Sequence, residues 1–325
     1  MSGRQKSGGE RSGGQMSGGA NALESSQTNI EVHPLTKDPY QAWQKLQVKQ
    51  KVLPVTPLDL ATPIYEDKVR FVCLSDTHSR HGKIKVPPGD VLLHAGDFTQ
   101  LGAFKEVYQF NEFLGALPHK YKIVIAGNHE LTFDPETKNE VAAKSGMFGK
   151  KTNDSETFNH IKDPRELLTN CNYLEDGGIS ICGIKIYGSP WQPAFCSWAF
   201  NLPRGFPCLD QWNLIPVDTD ILMTHGPPIG HGDECQNGMR AGCVELLHTV
   251  QRRVQPKYHV FGHIHEAYGV TTDGFTTYIN ASNCTLRYRP DNPPVIFDMP
   301  LPPGFSKDDL NDNNNNSQRT WILHS

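Results

Sequence analysis

The residues of this 325-residue chain that are best suited to chemistry are histidines, aspartates and one asparagine in five short motifs. In chain order the motifs read D-T-H, G-D, G-N-H-E, T-H-G and G-H-I-H. Imidazole nitrogens, carboxylates and amide oxygens are all ligands of transition metals. Each motif alone has an ordinary explanation, such as a helix cap, a turn or a half-exposed histidine. As a set they indicate a metal centre.

Each motif directly follows an apolar run of strand length, as in V-R-F-V-C-L-S before D-T-H and Y-K-I-V-I-A before G-N-H-E. In layered α/β proteins, ligands gather beyond the carboxyl ends of the strands, where loops converge. Carboxylates buried together in such a cleft require nearby cations to offset their charge. Gly96, Gly127, Gly226 and Gly262 in the motifs allow sharp turns and close approach of the backbone. The sequence therefore predicts that all five strand ends line one cleft.

Two segments with helical periodicity, A-F-K-E-V-Y-Q-F-N-E-F-L-G-A-L and G-C-V-E-L-L-H-T-V-Q-R-R-V-Q-P, are predicted to cover the sheet that carries these strands. Asn111 interrupts the apolar face of the first. Between them, N-Y-L-E-D-G-G-I-S-I-C-G-I-K-I-Y-G-S-P-W has glycines between strand-like runs, which favours antiparallel hairpins. The mixture predicts α/β layers with more antiparallel strand than a doubly wound sheet.

The two ends of the chain differ in composition from its middle. Residues 1–38 are rich in glycine and serine, and residues 304–325 are rich in aspartate and asparagine. Such segments bury too little apolar surface to offset the entropy of ordering, so both are expected to be disordered tails. The folded domain is placed at residues 39–303.

The overall charge excludes some classes of partner. With 31 basic and 35 acidic residues, a net charge of -4 and a pI near 6.4, the chain has no general attraction to polymeric nucleic acid or to anionic membranes. The N-terminus lacks the apolar region of a signal peptide, and no window reaches the roughly 18 apolar residues that a membrane span requires. A cytoplasmic location is expected, and no sequence signal identifies a protein partner.

In this order and at these spacings, the motifs resemble those of the calcineurin-like metallophosphoesterases. Wider stretches, such as Y-K-I-V-I-A-G-N-H-E-L-T-F-D and I-N-A-S-N-C-T-L-R-Y-R-P-D-N-P-P-V-I-F-D, are similar to a subgroup of animal metallophosphoesterase-domain-containing proteins with reported cyclic-nucleotide phosphodiesterase activity. The resemblance covers about residues 40 to 300. It implies an α/β fold in which two mixed β-sheets form a central sandwich flanked by helices (α/β/β/α).

The resemblance also implies a site for two divalent metal ions that share one carboxylate and lie about 3.5 to 4 Å apart. The shared ligand is Asp97, and the other implied ligands are Asp76, His78 and His265 for the first ion and Asn128, His225 and His263 for the second. Some members of the subgroup lack the histidine that matches His263, which this chain retains. Nitrogen and oxygen ligands without thiolate fit Mn²⁺, Fe or Zn²⁺ better than Mg²⁺ or Ca²⁺; Mn²⁺ is the expected ion, with Fe or Zn²⁺ as alternatives.

The function implied is that of a metal-dependent phosphodiesterase. It hydrolyses small nucleotide-like phosphodiesters, such as 2',3'- or 3',5'-cyclic nucleotides, by attack of a metal-bridging hydroxide. His129 is the expected catalytic acid, and Asn128, His129 and Arg80 are the expected substrate contacts. Two alternatives stay open: a phosphomonoesterase or protein phosphatase, and a low-activity scaffold that binds metal and nucleotide.

Three further interpretations are less specific. Glu130 is either a carboxylate that orients His129 or a ligand histidine, or a solvated acid. Arg204 either reaches the substrate or is solvated. The aromatic residues form either a wall of the site or part of the core; they are Trp191, Phe195, Trp198 and Phe200.

Overall fold

The computed structural model describes residues 29–137, 161–311 and 318–322. In chain order the helices are α1 (Pro39–Leu46), α2 (Phe104–Ala116), α3 (Phe206–Asn213), α4 (Val244–Thr249) and α5 (Lys307–Asn311). The strands are β1 (Leu53–Pro54), β2 (Lys68–Leu74), β3 (Val91–Ala95), β4 (Tyr121–Ile125), β5 (Asn172–Tyr173), β6 (Gly177–Ile181), β7 (Ile184–Ser189), β8 (Gln192–Pro193), β9 (Asn201–Leu202), β10 (Ile221–Thr224), β11 (Tyr258–Phe261), β12 (Gly269–Thr272), β13 (Thr277–Asn280), β14 (Val295–Pro300) and β15 (Gln318–Ile322).

These strands form two large mixed sheets and one short parallel pair, β8-β9. The five-stranded sheet has the order β14-β2-β3-β4-β5, in which β2 to β5 are parallel and β14 is antiparallel to β2. The eight-stranded sheet has the order β1-β12-β13-β11-β10-β7-β6-β15, with a parallel centre from β13 to β7 and antiparallel pairs outside it. The pair β6–β7 is the antiparallel hairpin predicted from the glycine-punctuated middle of the chain.

The two sheets pack face to face over the largest apolar core. Phe71, Leu93 and Ile123 come from the five-stranded sheet, and Ile186 and Met223 come from the eight-stranded sheet. Alternate residues of a strand point to opposite faces, so a slip of one residue would place the wrong set in this core. Packing between the sheets therefore fixes the register of the strands.

Helices cover the outer faces of both sheets. Phe110 of α2 packs with Leu92 on the five-stranded sheet, and Trp212 of α3 and Leu246 of α4 pack with Leu222 on the eight-stranded sheet. The layers are therefore helix, sheet, sheet and helix. This confirms the predicted α/β/β/α fold.

Both predicted helices are present, and the polar interruption in α2 has a structural role. Asn111 is buried, donates a hydrogen bond to the Thr169 hydroxyl (3.1 Å) and accepts one from the Asn170 N–H (2.8 Å). The second predicted helix begins as α4 and continues as a π-helical turn over Val250–Val254. The sequence period indicated the helices but not this change of winding.

The ordered part of the chain extends beyond residues 39–303. Ile30 is buried, and the Thr36 hydroxyl donates to the Glu245 carboxylate (2.8 Å). Near the other end, β15 pairs antiparallel with β6, inside the segment expected to be a tail. The composition of these segments does not indicate their structure, because only a few residues of each pack on the folded domain. The rest of the predicted tails, residues 1–28, 312–317 and 323–325, lies outside the described residues. No helix in the described ranges is both long and apolar enough to cross a membrane.

Candidate metal centre

The predicted ligands converge because parallel strands of both sheets end at one edge of the sandwich. From the five-stranded sheet, β2, β3 and β4 lead into the loops that carry Asp76, Asp97 and Asn128. From the eight-stranded sheet, the parallel pair β10 and β11 leads into His225 and the loop with His263. Ligands from the two sheets then face each other across one cleft.

Four of the predicted ligands adopt a left-handed backbone conformation, which residues other than glycine rarely adopt. Asp76, His78, Asp97 and His263 have positive φ angles of 51°, 42°, 55° and 69°. Residues with a Cβ atom rarely occupy this left-handed region, and each costs on the order of 1 kcal/mol there. The strand β11 ends at Phe261, so His263 and His265 of G-H-I-H lie in the loop after it. The turn at His263 therefore directs these two side chains toward the site.

Glycines between the ligands leave space that a larger residue would fill. A Cβ atom on Gly127 would lie 2.4 Å from Oδ1 of Asp97 and 2.5 Å from Cε1 of His225. On Gly262 it would lie 1.9 Å from Oδ2 of Asp76. Both distances are too short for real contacts, which bears out the close approach expected from the sequence.

One group of donor atoms surrounds Asp76. Nε2 of His265 lies 3.3 Å from Oδ1 of Asp76 and 3.1 Å from Nε2 of His78. The carboxylate also accepts hydrogen bonds from the His263 N–H (3.0 Å) and the Ser282 hydroxyl (2.9 Å). Asp76, His78 and His265 thus present three ligand atoms within 4.8 Å of one another.

The second group surrounds Asp97. Its Oδ2 lies 3.3 Å from Nε2 of His225 and 3.8 Å from Nε2 of His78, so this carboxylate lies between the two groups. Asp97, His225 and His263 again offer ligand atoms within 4.8 Å of one another. Oδ1 of Asn128 lies 3.0 Å from Nε2 of His225. The structure therefore brings all seven predicted ligands together.

Hydrogen bonds fix which imidazole nitrogens face the cleft. Nδ1 of His225 lies 2.8 Å from the carbonyl oxygen of Ala95, and Nδ1 of His265 lies 3.1 Å from that of Thr285. A carbonyl only accepts, so each Nδ1 donates its proton there, and Nε2 is the ring nitrogen that faces the site. Carbonyl groups orient metal-binding histidines in this way.

The buried charges also fit divalent cations. Asp76 and Asp97 are almost fully shielded from solvent. Burial raises the pKa of Asp97, but the imidazoles of His225 and His129 outweigh it and hold the pKa well below its usual range. Burial disfavours the charged form of His225, yet Asp97 and Asp76 raise its pKa to about 9. Burial lowers the pKa of His263 to about 3, so that ring is neutral. The proton on His225 thus offsets the negative charge of Asp97 and Asp76, which a bound cation would offset in its place.

Glu130 has a role that neither sequence interpretation proposed. It is fully buried, and its carboxylate accepts from the N–H groups of Asp97 (2.9 Å), Gly127 (2.7 Å) and Thr99 (2.9 Å) and from the Thr99 hydroxyl (2.8 Å). Burial and the neighbouring Asp97 raise its pKa to about 8, whereas these hydrogen bonds favour the ionised form. We assign the ionised form because both oxygens accept from N–H groups. Glu130 joins the loop of Asp97 to the loop of His129.

His129 lies at the mouth of the cleft. Its Nδ1 is 2.7 Å from the carbonyl oxygen of Gln100, and its Nε2 is 3.9 Å from Oδ2 of Asp97. The ring packs on Trp198, with 4.3 Å between centroids. Arg80, the third predicted substrate contact, has a buried Nε without a hydrogen-bond partner among the described residues.

The aromatic cluster divides between core and site. Trp191 and Phe200 pack edge to face with 5.4 Å between centroids, and Phe200 is buried. Trp198 packs on His129, and the exposed Phe195 lies 5.8 Å from the His263 ring. Tertiary structure separates residues that are neighbours in sequence.

Sequence reasoning missed Tyr288. Its ring lies 4.8 Å from His78, 5.5 Å from His265 and 6.3 Å from His129, between centroids. A positive φ of 54° at Tyr288 brings the ring over the cleft. The R-Y-R sequence gave no signal, since a tyrosine between two arginines reads as a surface loop. Arg204, by contrast, is partly exposed, and its guanidinium donates to the backbone carbonyl oxygens of Ala241 and Gly242.

A sandwich of two mixed sheets with His, Asp and Asn side chains at the strand ends defines a metallophosphoesterase. A model of the calcineurin-like phosphoesterase family matches residues 69–267, and the chain belongs to this family. It is 51% identical over 290 residues to human metallophosphoesterase domain-containing protein 1, covering 87% of this chain and 89% of that one. Two UPF0046 proteins of Caenorhabditis elegans are also similar. One is 51% identical over 283 residues (84% of this chain, 71% of that one), and the other is 47% identical over 291 residues (87% and 99%).

Proposed function

We propose that this protein is a two-metal phosphodiesterase that hydrolyses small nucleotide-like phosphodiesters, 2',3'- or 3',5'-cyclic nucleotides among them. The observation that carries the proposal is the position of Asp97, whose Oδ2 lies 3.3 Å from His225 and 3.8 Å from His78, between two groups of donors. Asp97 would be shared, with Asp76, His78 and His265 on one side and Asn128, His225 and His263 on the other. Mn²⁺ is the proposed ion, with Fe or Zn²⁺ as alternatives. When bound, two divalent ions supply Lewis acidity and lower the pKa of water toward neutrality.

Side chains of the protein would position the ester and transfer a proton to the leaving oxygen. His129 lies at the mouth of the cleft with Nδ1 held by the Gln100 carbonyl, so its Nε2 is free to carry a proton to the leaving oxygen. Nε2 of this ring lies 3.9 Å from Oδ2 of Asp97. Arg80 and the side chain of Asn128 are proposed to contact the phosphoryl oxygens.

Aromatic surface around the cleft supports a diester over a monoester. Phe195 and Trp198, from the loop between β8 and β9, and Tyr288, from the loop before β14, contact the site histidines. A diester carries organic groups on both sides of its phosphorus, and aromatic rings provide surfaces on which such groups stack. The proposed substrate is therefore a small organic phosphodiester and not polymeric nucleic acid or a membrane lipid. We also propose a cytoplasmic location.

The test is metal removal, addition of Mn²⁺, and comparison of bis(p-nitrophenyl) phosphate with p-nitrophenyl phosphate. Faster turnover of the diester is expected. Faster turnover of the monoester would favour the phosphomonoesterase or protein phosphatase alternative, and no turnover of either would favour the scaffold.

The role of His129 has its own test. A p-nitrophenolate leaves without a proton, whereas the alkoxide of a cyclic nucleotide needs one. His129→Gln should therefore slow hydrolysis of a cyclic nucleotide by about 10² or more and that of bis(p-nitrophenyl) phosphate much less. Equal losses on both substrates would assign His129 to the metal site instead.

A further inference from the structure

A cavity of about 450 Å³ lies outside the metal centre. Its walls come from three segments: residues 29–34, the end of α1 with the 3-10 turn Gln47–Lys49, and the helical region from α4 to Val254. None of the predicted metal ligands lines it. The metallophosphoesterase activity therefore gives it no role.

The charged side chains that line this cavity are mainly positive. Lys45, Lys49 and Arg252 line it, and the one acidic residue in its walls is Glu31. The described residues provide no ion-pair partner for any of the three cations. Lysines at the end of a helix also interact with the helix dipole, but this does not explain Arg252, which comes from another helical segment. Three unpaired cations around a cavity favour an anionic ligand.

Two imidazoles complete the polar part of the wall. Nδ1 of His33 accepts a hydrogen bond from the Leu35 N–H (3.1 Å), so the neutral ring carries its proton on Nε2. His248 is 5% exposed, and its Nε2 has no hydrogen-bond partner within the described ranges. Burial, aided by Arg252 and His33, lowers the pKa of His248 to about 4. A buried polar atom without a partner is costly, which a ligand would relieve.

The wall formed by the N-terminal segment is anchored. The buried Glu245 carboxylate accepts from the His33 N–H (3.2 Å) and from the Thr36 hydroxyl (2.8 Å), and Ile30 is buried beside them. The backbone of this wall is thus held in place before a ligand binds, and the exposed side chains of Lys45, Lys49 and Arg252 lie around the same space. Preorganisation of this kind reduces the entropy lost on binding.

We propose that this cavity binds a small organic phosphate at a site separate from the metal centre. Lys45, Lys49 and Arg252 bind the phosphate oxygens, and the organic part packs on the apolar side chains of Val32 and Leu46. The volume falls in the range of small-molecule sites, about 300 to 1,000 Å³, and exceeds what inorganic phosphate fills.

Isothermal titration calorimetry of the full-length, metal-loaded protein with phenylphosphonate tests the proposal. The carbon–phosphorus bond of this probe resists hydrolysis. Wild-type protein should bind two equivalents, one at each site. The double variant Lys49→Gln, Arg252→Gln should weaken the cavity site about tenfold or more, because it removes two charge-assisted hydrogen bonds to the phosphate. The control Lys83→Gln, Lys85→Gln removes the same charge from exposed lysines and should retain both sites.

Asp97→Asn separates the two sites, since it should abolish oxyanion binding at the metal centre and spare the cavity. Loss of all phenylphosphonate binding in Asp97→Asn, or unchanged binding in the Lys49, Arg252 double variant, would overturn the proposal. Equal affinity for inorganic phosphate would overturn its organic part. If the double variant does not fold, Arg252→Gln alone, at an exposed position, serves the same comparison.

Discussion

Replacing Glu130 by glutamine tests whether its buried carboxylate holds the metal-binding loops together. Four donor groups point at the two oxygens, from Asp97 and Gly127 on one side and from Thr99 on the other. A glutamine amide keeps one acceptor oxygen and places an NH₂ group against donors. The least unfavourable orientation leaves the Thr99 N–H without a partner.

The magnitude follows from these contacts. An unsatisfied buried N–H costs about 1 to 3 kcal/mol, and loss of the negative charge weakens the remaining hydrogen bonds. We therefore expect Glu130→Gln to lower the free energy of unfolding by about 2 to 4 kcal/mol. Because both loops carry ligands, metal affinity should also fall about 10- to 100-fold.

The chain offers a matched control in Glu106. Its carboxylate also accepts from four donors, the hydroxyl of Ser79 and the N–H groups of Gln100, Leu101 and Ala103, but it is partly exposed to water. Water can satisfy donors freed there, so Glu106→Gln should cost less than about 1 kcal/mol. Urea unfolding with metal removed gives both values, and metal titration gives the affinities. Equal losses of stability in the two variants would refute the reasoning.

Three further predictions follow from the same geometry. Asn128→Ala should lower turnover and the affinity for one metal ion without unfolding the protein; wild-type turnover would remove Asn128 from the ligand set. Gly127→Ala should abolish metal binding, because the added methyl group would lie 2.4 Å from Asp97 and 2.5 Å from His225; a variant with normal metal titration would contradict this. Burial lowers the pKa of His259 to about 3, below its unfolded value of about 6.5, so the unfolded chain takes up more protons below pH 6.5. The stability that His259 contributes is thus complete above about pH 6.5 and is lost as pH falls toward 3, about 2 kcal/mol by pH 5. His259→Phe should lack this loss in urea unfolding at pH 7.5 and 5, and an unchanged pH dependence would count against a neutral buried ring.

Much of the site was predictable because its ligands occupy a simple pattern in the chain. Asp76, Asp97, Asn128, His225 and His263 each follow an apolar strand by one to three residues. Parallel strands end at the same edge of a sheet, so the pattern groups the ligands that each sheet supplies, and the packing of the two sheets brings the two groups together. The two helices and the central hairpin were predicted from local periodicity for the same reason.

Other residues depend on contacts that no local pattern records. Glu130 follows His129 directly, but its carboxylate turns away from the cleft and binds the backbone of three loop residues. Trp191 and Trp198 have the same side chain seven residues apart, yet one joins the core and the other packs on a site histidine. The R-Y-R sequence does not predict the left-handed turn at Tyr288.

The sequence by itself determined the ligand types, their order at the strand ends and the layered fold, since strand and helix periods and metal preference depend on residues close together in the chain. Only the tertiary structure decided what Glu130 binds and which aromatic rings line the cleft. It also formed the cationic cavity, whose Lys49 and Arg252 are about 200 residues apart in the chain. The physical reason is that burial, charge compensation and hydrogen bonding act through space, and folding alone brings distant segments within their reach.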